Sequence, residues 1–110
     1  MDINVTAYEQ VRLLSVNGRV DSMNANQLGD ALSQEIDGGY VQLVIDLSNV
    51  EYMSSAGLRE IVTALKKVKR ASGDLRIAQP SDRVREVLEM AGLDTIFRIF
   101  PTSDDALNSY

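Results

Sequence analysis

The 110-residue sequence contains no histidine, no cysteine and no tryptophan. Without histidine a Ser-His-Asp catalytic arrangement is impossible, and without cysteine there are no disulfides, no thiol catalysis and no cysteine-based zinc site. Neither a P-loop nor a GxGxxG sequence occurs. A carboxylate pair remains conceivable, but among 16 acidic residues some pair always exists, so it indicates nothing specific. The composition therefore argues against an enzyme.

Basic residues are also few: 11 against 16 acidic ones, for a formal charge of −5 and a pI near 4.6. This balance repels phosphate-rich partners and predicts no binding to nucleic acid. No apolar run approaches the roughly 20 residues needed to cross a bilayer. The first residues, Met1 to Asn4, lack the basic and apolar regions of a signal peptide. We expect a soluble cytoplasmic protein that does not insert into membranes.

The chain length is near the commonest size of one domain, and 45% hydrophobic residues supply one core. The sequence predicts a single domain over residues 1–110.

Hydrophobic periodicity predicts alternating strands and helices. A hairpin is expected from residues 2–8 and 11–17, separated by Glu9 and Gln10. The dense apolar run 40–47 is typical of a central strand buried on both faces and paired in parallel. The first predicted helix follows the capping candidates Ser22, Met23 and Asn24 and ends at Gly38-Gly39. Two further helices are predicted from Ser55 to Gly73 and from Ser81 to Gly92. The remaining predictions are a loop at 48–54, strands at 75–78 and 95–100, and a short or frayed helix in 101–110. The fold class is α/β: an N-terminal hairpin plus parallel strands in one mixed sheet, with about four helices.

One segment stands out, from Val44 to Leu58, where a buried strand is followed by adjacent serines and small residues that open an amphipathic helix. A serine here is a candidate N-cap, because its hydroxyl can accept from an unpaired backbone N–H. Ala56 and Gly57 would let a large partner approach closely. The simpler interpretation is that Ser55 only caps the helix and Gly57 only permits tight packing.

The sequence resembles a STAS domain of the anti-anti-sigma factor family, the bacterial anti-sigma factor antagonists. The resemblance covers essentially the whole chain, and depends most on residues 45–50 (Ile-Asp-Leu-Ser-Asn-Val) and 52–58 (Tyr-Met-Ser-Ser-Ala-Gly-Leu). Residues 18–21 (Gly-Arg-Val-Asp) resemble the family's turn before the first helix. Family members carry Asp-Ser-Ser-Gly-Leu, or a threonine variant, at the start of the second helix. Alignment on Gly57 places Ser55 at the phosphorylated serine, Ser54 where aspartate is usual, and Ala56 where the second hydroxyl is usual.

The resemblance implies a protein that binds an anti-sigma factor, often itself a serine kinase, and is released when that kinase phosphorylates Ser55. Ser54 is the fallback acceptor. A metal-dependent protein phosphatase would restore the binding form; ATP and magnesium belong to the kinase, and this chain would need no cofactor or metal. We expect a monomer when the protein is free. The predicted partner-binding residues are Asp21, Ser22, Ser54, Ser55, Gly57 and Arg59.

Two other functions stay open at this stage: a STAS interaction subunit of a transporter or stress-signalling complex, and a small-molecule sensor. Individual residues also have alternatives. Asp21 could be an ordinary turn aspartate, Asp46 is expected to satisfy loop N–H groups, and Lys66 to Arg70 are expected to be a solvated helix end. Met23 and Met53 could contact a partner or fill the core.

Overall fold

The computed structural model describes residues 1–110 and contains one five-stranded sheet with strand order β1-β2-β3-β4-β5. The strands are β1 (Asp2–Tyr8), β2 (Val11–Val20), β3 (Gln42–Met53), β4 (Asp74–Ala78) and β5 (Ile99–Phe100). The α-helices are α1 (Ala25–Asp37), α2 (Ser55–Arg70), α3 (Asp82–Met90) and α4 (Ser103–Asn108), with a short 3-10 helix at Leu93–Thr95. β1 and β2 form the predicted hairpin, and β2 to β5 pair in parallel, which confirms the predicted mixed sheet.

The connections place three helices on one face of the sheet. Each parallel strand lies next to the preceding one, and right-handed crossovers that advance in one direction put their helices on the same side. The main core lies there, between sheet residues such as Leu14 and Ile45 and helix residues such as Leu28 and Ile61. On the other face, α4 covers a smaller cluster of Leu13, Val44, Ala78 and Ala106. None of the helices is both long enough and apolar enough to cross a membrane.

The largest error of the sequence prediction concerns β3. The segment 48–54 was expected to be a loop, but β3 continues to Met53 and begins at Gln42 rather than at Tyr40. The polar residues Ser48, Asn49 and Glu51 hide the strand, while Val50 and Met53 are buried in the main core. β2 correspondingly extends to Val20, with irregular register on the way, so the two strands stay paired up to Met53.

The end of the chain differs in a second way. The predicted strand 95–100 contains only two strand residues, Ile99 and Phe100, because the 3-10 helix occupies Leu93–Thr95. Residues 103–108 form the terminal helix α4, which agrees with the short helix predicted within residues 101–110.

Candidate partner-binding site

The site lies where β2 and β3 end side by side. Val20 is the parallel register partner of Met53, and the backbone N–H of Ser54 donates to the carbonyl oxygen of Val20 at 2.8 Å. The chain leaves both strands at the same end of the sheet, beyond their carboxyl-terminal residues. This pairing brings the predicted turn Asp21-Ser22 next to the predicted helix start Ser54-Ser55.

The two adjacent serines occupy different positions at the start of α2. Ser54 is the N-cap: its backbone is extended, its side chain is half-buried, and its Oγ accepts from the Gly57 N–H at 3.2 Å. Ser55 is the first helical residue, it is exposed, and its hydroxyl makes no hydrogen bond within the protein. The interpretation of Ser55 as the cap is therefore wrong, and its hydroxyl is accessible.

Gly57 is explained by packing. It is buried, and a Cβ atom on it would overlap Met53 Sδ and lie 2.7 Å from Val20 Cγ1. The missing side chain lets the first turn of α2 sit directly on the ends of β2 and β3. Gly57, one of the predicted contact residues, therefore positions its neighbours. It offers no side chain to a partner, and its Cα hydrogen that a Cβ would replace points into the core.

Asp21 shapes the turn between β2 and α1. Its Oδ1 accepts from the N–H groups of Met23 at 2.9 Å and Asn24 at 3.2 Å. In return, Asn24 Oδ1 accepts from the Asp21 N–H at 2.9 Å, and Asn24 Nδ2 donates to the Arg19 carbonyl at 2.9 Å. Asp21 therefore stabilises the turn, as its alternative interpretation expected. Its Oδ2 makes no hydrogen bond, so half of the carboxylate is left for another contact.

Exposed apolar and aromatic groups flank the serines. Met53 is 3% exposed and fills the core, one of the two roles that the sequence left open, whereas Met23 is 88% exposed. Tyr52 is 37% exposed, and the Arg19 guanidinium lies 4.7 Å from its ring centroid. Sequence reasoning missed Arg19 and Tyr52. Simple strand alternation does not predict the exposure of Tyr52, because β3 buries both Val50 and Met53 and its register against β2 shifts between them.

The helix start and one arginine favour an anion at Ser55, whereas the Asp21 carboxylate of the neighbouring turn opposes one. The first turn of α2 contains no acidic side chain, and a helix N-terminus carries partial positive charge. Arg59 is exposed one turn beyond Ser55 and forms no salt bridge. At the far end of α2, Lys67, Lys69 and Arg70 lie in the last turn, where cations complement the dipole.

Asp46 has a structural role away from the Ser55 surface. Asp46 accepts from the Ser48 N–H at 2.9 Å and from Ser103 Oγ at 2.8 Å, which confirms its expected structural role.

A cleft of about 540 Å³ lies between the β1–β2 turn and α4, and four of its nine lining residues are hydrophobic. Ser55 does not line this cleft. No group of three or more histidine, cysteine, aspartate or glutamate side chains is arranged to hold a metal ion.

A mixed sheet with three helices on one face and a capped helix start beside the first β–α turn defines a small α/β domain of the STAS class. The chain belongs to the STAS domain family, whose model matches residues 2–106.

Several of its relatives are named as anti-sigma factor antagonists. The anti-sigma-F factor antagonist RsfB of Mycobacterium tuberculosis is 31% identical over 105 residues, which are 96% of this chain and 85% of RsfB. The anti-sigma-B factor antagonist of Staphylococcus aureus is 27% identical over 99 residues, which are 90% of this chain and 92% of that protein. The crystal structure of an anti-sigma factor antagonist from Mycobacterium paratuberculosis superimposes with a TM-score of 0.89 at 30% identity, covering 98% of this chain and 92% of that one. The chain is thus homologous to the anti-sigma factor antagonists.

Proposed function

We propose that this protein is an anti-sigma factor antagonist: it binds an anti-sigma factor through the surface around Ser55, and phosphorylation of Ser55 releases it. The observation that carries the proposal is the exposed, unbonded hydroxyl of Ser55 at the start of α2, beside the Asp21-Ser22 turn. The names of the relatives supply the class of partner. The protein acts in this proposal as a binding protein in the cytoplasm, without catalysis of its own and without a cofactor.

Ser55 suits phosphorylation better than its neighbour. A kinase must reach the acceptor hydroxyl, and Ser55 is exposed whereas Ser54 is half-buried. Phosphorylation of Ser54 would also change the oxygen that accepts from the Gly57 N–H, and a helix cap is worth about 1 kcal/mol. Ser55 can be modified without loss of any hydrogen bond. The absence of an aspartate at position 54 is compatible with this arrangement, because Ser54 itself caps α2.

The phosphate would act locally. It adds about −1.5 to −2 charges, which the positive start of α2 favours and the Asp21 carboxylate of the neighbouring turn opposes. In a complex the same group is bulky and must lose water, and any carboxylate opposite it adds repulsion. A penalty of about 3 kcal/mol weakens binding more than a hundredfold.

Unmodified contacts would come from the rest of the surface. Met23 offers an exposed apolar side chain, and Asp21 Oδ2 is free to accept from an arginine or lysine of the partner. The serine kinase that phosphorylates Ser55 would be the anti-sigma factor itself, and a metal-dependent phosphatase would restore the binding form.

The test is capture of the partner from a lysate of the source bacterium with four forms: wild type, Ser55→Ala, Ser55→Asp and Ser54→Ala. We expect Ser55→Ala to bind constitutively, Ser55→Asp to lose most binding, and Ser54→Ala still to be phosphorylated and released as wild type is. Mass spectrometry of phosphopeptides should place the phosphate on Ser55.

Equal capture by all four forms would remove Ser55 as the switch, and a phosphate on Ser54 would move it by one residue. The identity of the captured protein separates this function from the alternative. A small ATPase-fold anti-sigma factor supports the proposal, and a transporter or a large signalling assembly contradicts it.

A further inference from the structure

The outer edge of β1 has features that make it a pairing surface for another strand. β1 bonds to β2 on one side only, and it runs for seven residues in unbroken register. Six of the seven residues are exposed. The other outer strand, β5, has only two residues. The long free edge of the sheet is therefore β1.

Proteins usually protect such an edge with proline, lysine, a bulge or a covering segment. β1 contains no proline, no lysine and no arginine, and its pairing shows no bulge. Asp2, at the end of the strand, is its one charged residue. The free peptide groups of β1 are thus available to a partner strand.

The sequence analysis expected a free monomer; from the free edge of β1 we infer instead that β1 pairs antiparallel with β1 of a second copy of this chain, about a two-fold axis at Val5. The dimer then has a continuous ten-stranded sheet. The strand is self-complementary in this register. Val5 faces Val5 of the second copy, Ile3 faces Ala7, Asn4 faces Thr6, and Asp2 faces Tyr8.

The sequence of β1 favours this register on both faces. Three alternate residues of β1 lie on the face of the sheet that carries the main core: Ile3, Val5 and Ala7. The pairing of Ile3 with the core residue Val16 identifies this face. Val5 is 46% exposed in the free chain, and the axis would bury it against its own copy. Cross-strand pairs of β-branched residues stabilise sheets.

The charges within the interface are also compatible. Asp2 meets the hydroxyl of Tyr8 and not a second carboxylate, so no like charges are opposed directly. Each chain carries a net charge of −5, which opposes association at long range. Salt at about 0.15 M screens this repulsion beyond about 8 Å, so association should strengthen as salt is raised.

The interface leaves the partner-binding site open. β1 is at the side of the sheet, whereas Ser55 follows β3 in its middle. The inference stands independently of the proposed function, and Ser55→Asp should leave dimerisation unchanged.

Two charge variants at the axis test the inference. The mass of wild type by sedimentation equilibrium should rise from 12.1 kDa towards twice that value between about 1 µM and about 1 mM protein. Val5→Lys and Val5→Glu each place like charges together at the axis, so each should associate at least tenfold more weakly. A mixture of the two should recover association, because lysine then faces glutamate.

The mixture also controls for folding, because recovery requires both variants to be folded. Met90→Lys and Met90→Glu are matched controls: Met90 is 82% exposed on α3, away from β1, and both variants should associate like wild type. A wild-type mass of 12.1 kDa at every concentration would overturn the inference. So would unweakened association of both single Val5 variants, or a mixture that stays monomeric.

Discussion

Ser54 and Ser55 are identical in chemistry and adjacent in sequence, yet the backbone assigns them different tasks. The extended conformation of Ser54 turns its hydroxyl towards the Gly57 N–H, whereas Ser55 already has helical geometry and directs its hydroxyl to solvent. The resemblance to a family motif selected Ser55 as the phosphorylation site. Residue-level reasoning could not decide which serine caps, because both are good N-cap residues and the choice depends on where the helix begins.

Stability measurements should separate the two serines. Ser54→Ala should lower the free energy of unfolding by about 1 kcal/mol, because the Gly57 N–H loses its acceptor. Ser55→Ala should stay within about 0.5 kcal/mol of wild type, because its hydroxyl is exposed and unbonded. Urea denaturation at neutral pH measures both. The reverse order of effects would show that Ser55 is the cap.

At the scale of elements, a polar cluster joins the end of α2, the start of β4 and the end of α4. Asp74 pairs with Arg76 at 3.0 Å and with Lys69 at 3.3 Å, and the Arg76 guanidinium stacks 3.8 Å from the Tyr110 ring centroid. The Tyr110 hydroxyl lies 2.7 Å from the carbonyl oxygens of both Leu43 and Asp74. Burial raises the pKa of Tyr110, which keeps this hydroxyl protonated as a donor.

Asp74 should make stability depend on acid pH. Burial by itself raises the pKa of the carboxyl group, but hydrogen bonds from Arg76, Lys69 and the Leu75 N–H outweigh it, so the net pKa is lowered. The stabilisation is thus fully present above the unfolded value, about 3.9, and is lost as pH falls through the lower folded value.

Asp74→Asn should therefore be less stable than wild type by about 1.5–3 kcal/mol at neutral pH, the usual range for hydrogen bonds to charged groups. The difference should shrink below about pH 4. Thermal unfolding of both proteins between pH 2 and pH 7 measures it. A difference that is the same at every pH would exclude the ionisation of the Asp74 carboxyl group as its source.

At the scale of the whole molecule, the proposed switch requires no change of fold. Ser55 contacts solvent, Gly57 fixes the first turn of α2 on the sheet, and Ser54 is bonded to Val20. Nothing in these contacts involves the Ser55 hydroxyl. The phosphate would therefore alter the surface charge and leave the packing in place.

Nuclear magnetic resonance should show this directly. In the phosphorylated protein, amide shifts should change in the Asp21-Ser22 turn and the first turn of α2, and stay near their original values in β4, α3 and α4. A matched set of spectra of the two forms measures it. Shifts that change throughout the sheet would indicate a conformational switch in place of a local one.

The sequence by itself determined the order of strands and helices, the mixed sheet with its hairpin, and the segment that holds the site, because periodicity and turn residues are local signals. It did not reveal that β3 reaches Met53, since polar residues on that segment's exposed positions obscure a strand that pairing with β2 maintains. Only the tertiary structure showed that Val20 pairs with Met53, the contact that puts Asp21 and Ser55 on the one surface expected from the family resemblance. That proximity depends on which strands pair and in which register, a property of contacts between distant segments that no local pattern contains.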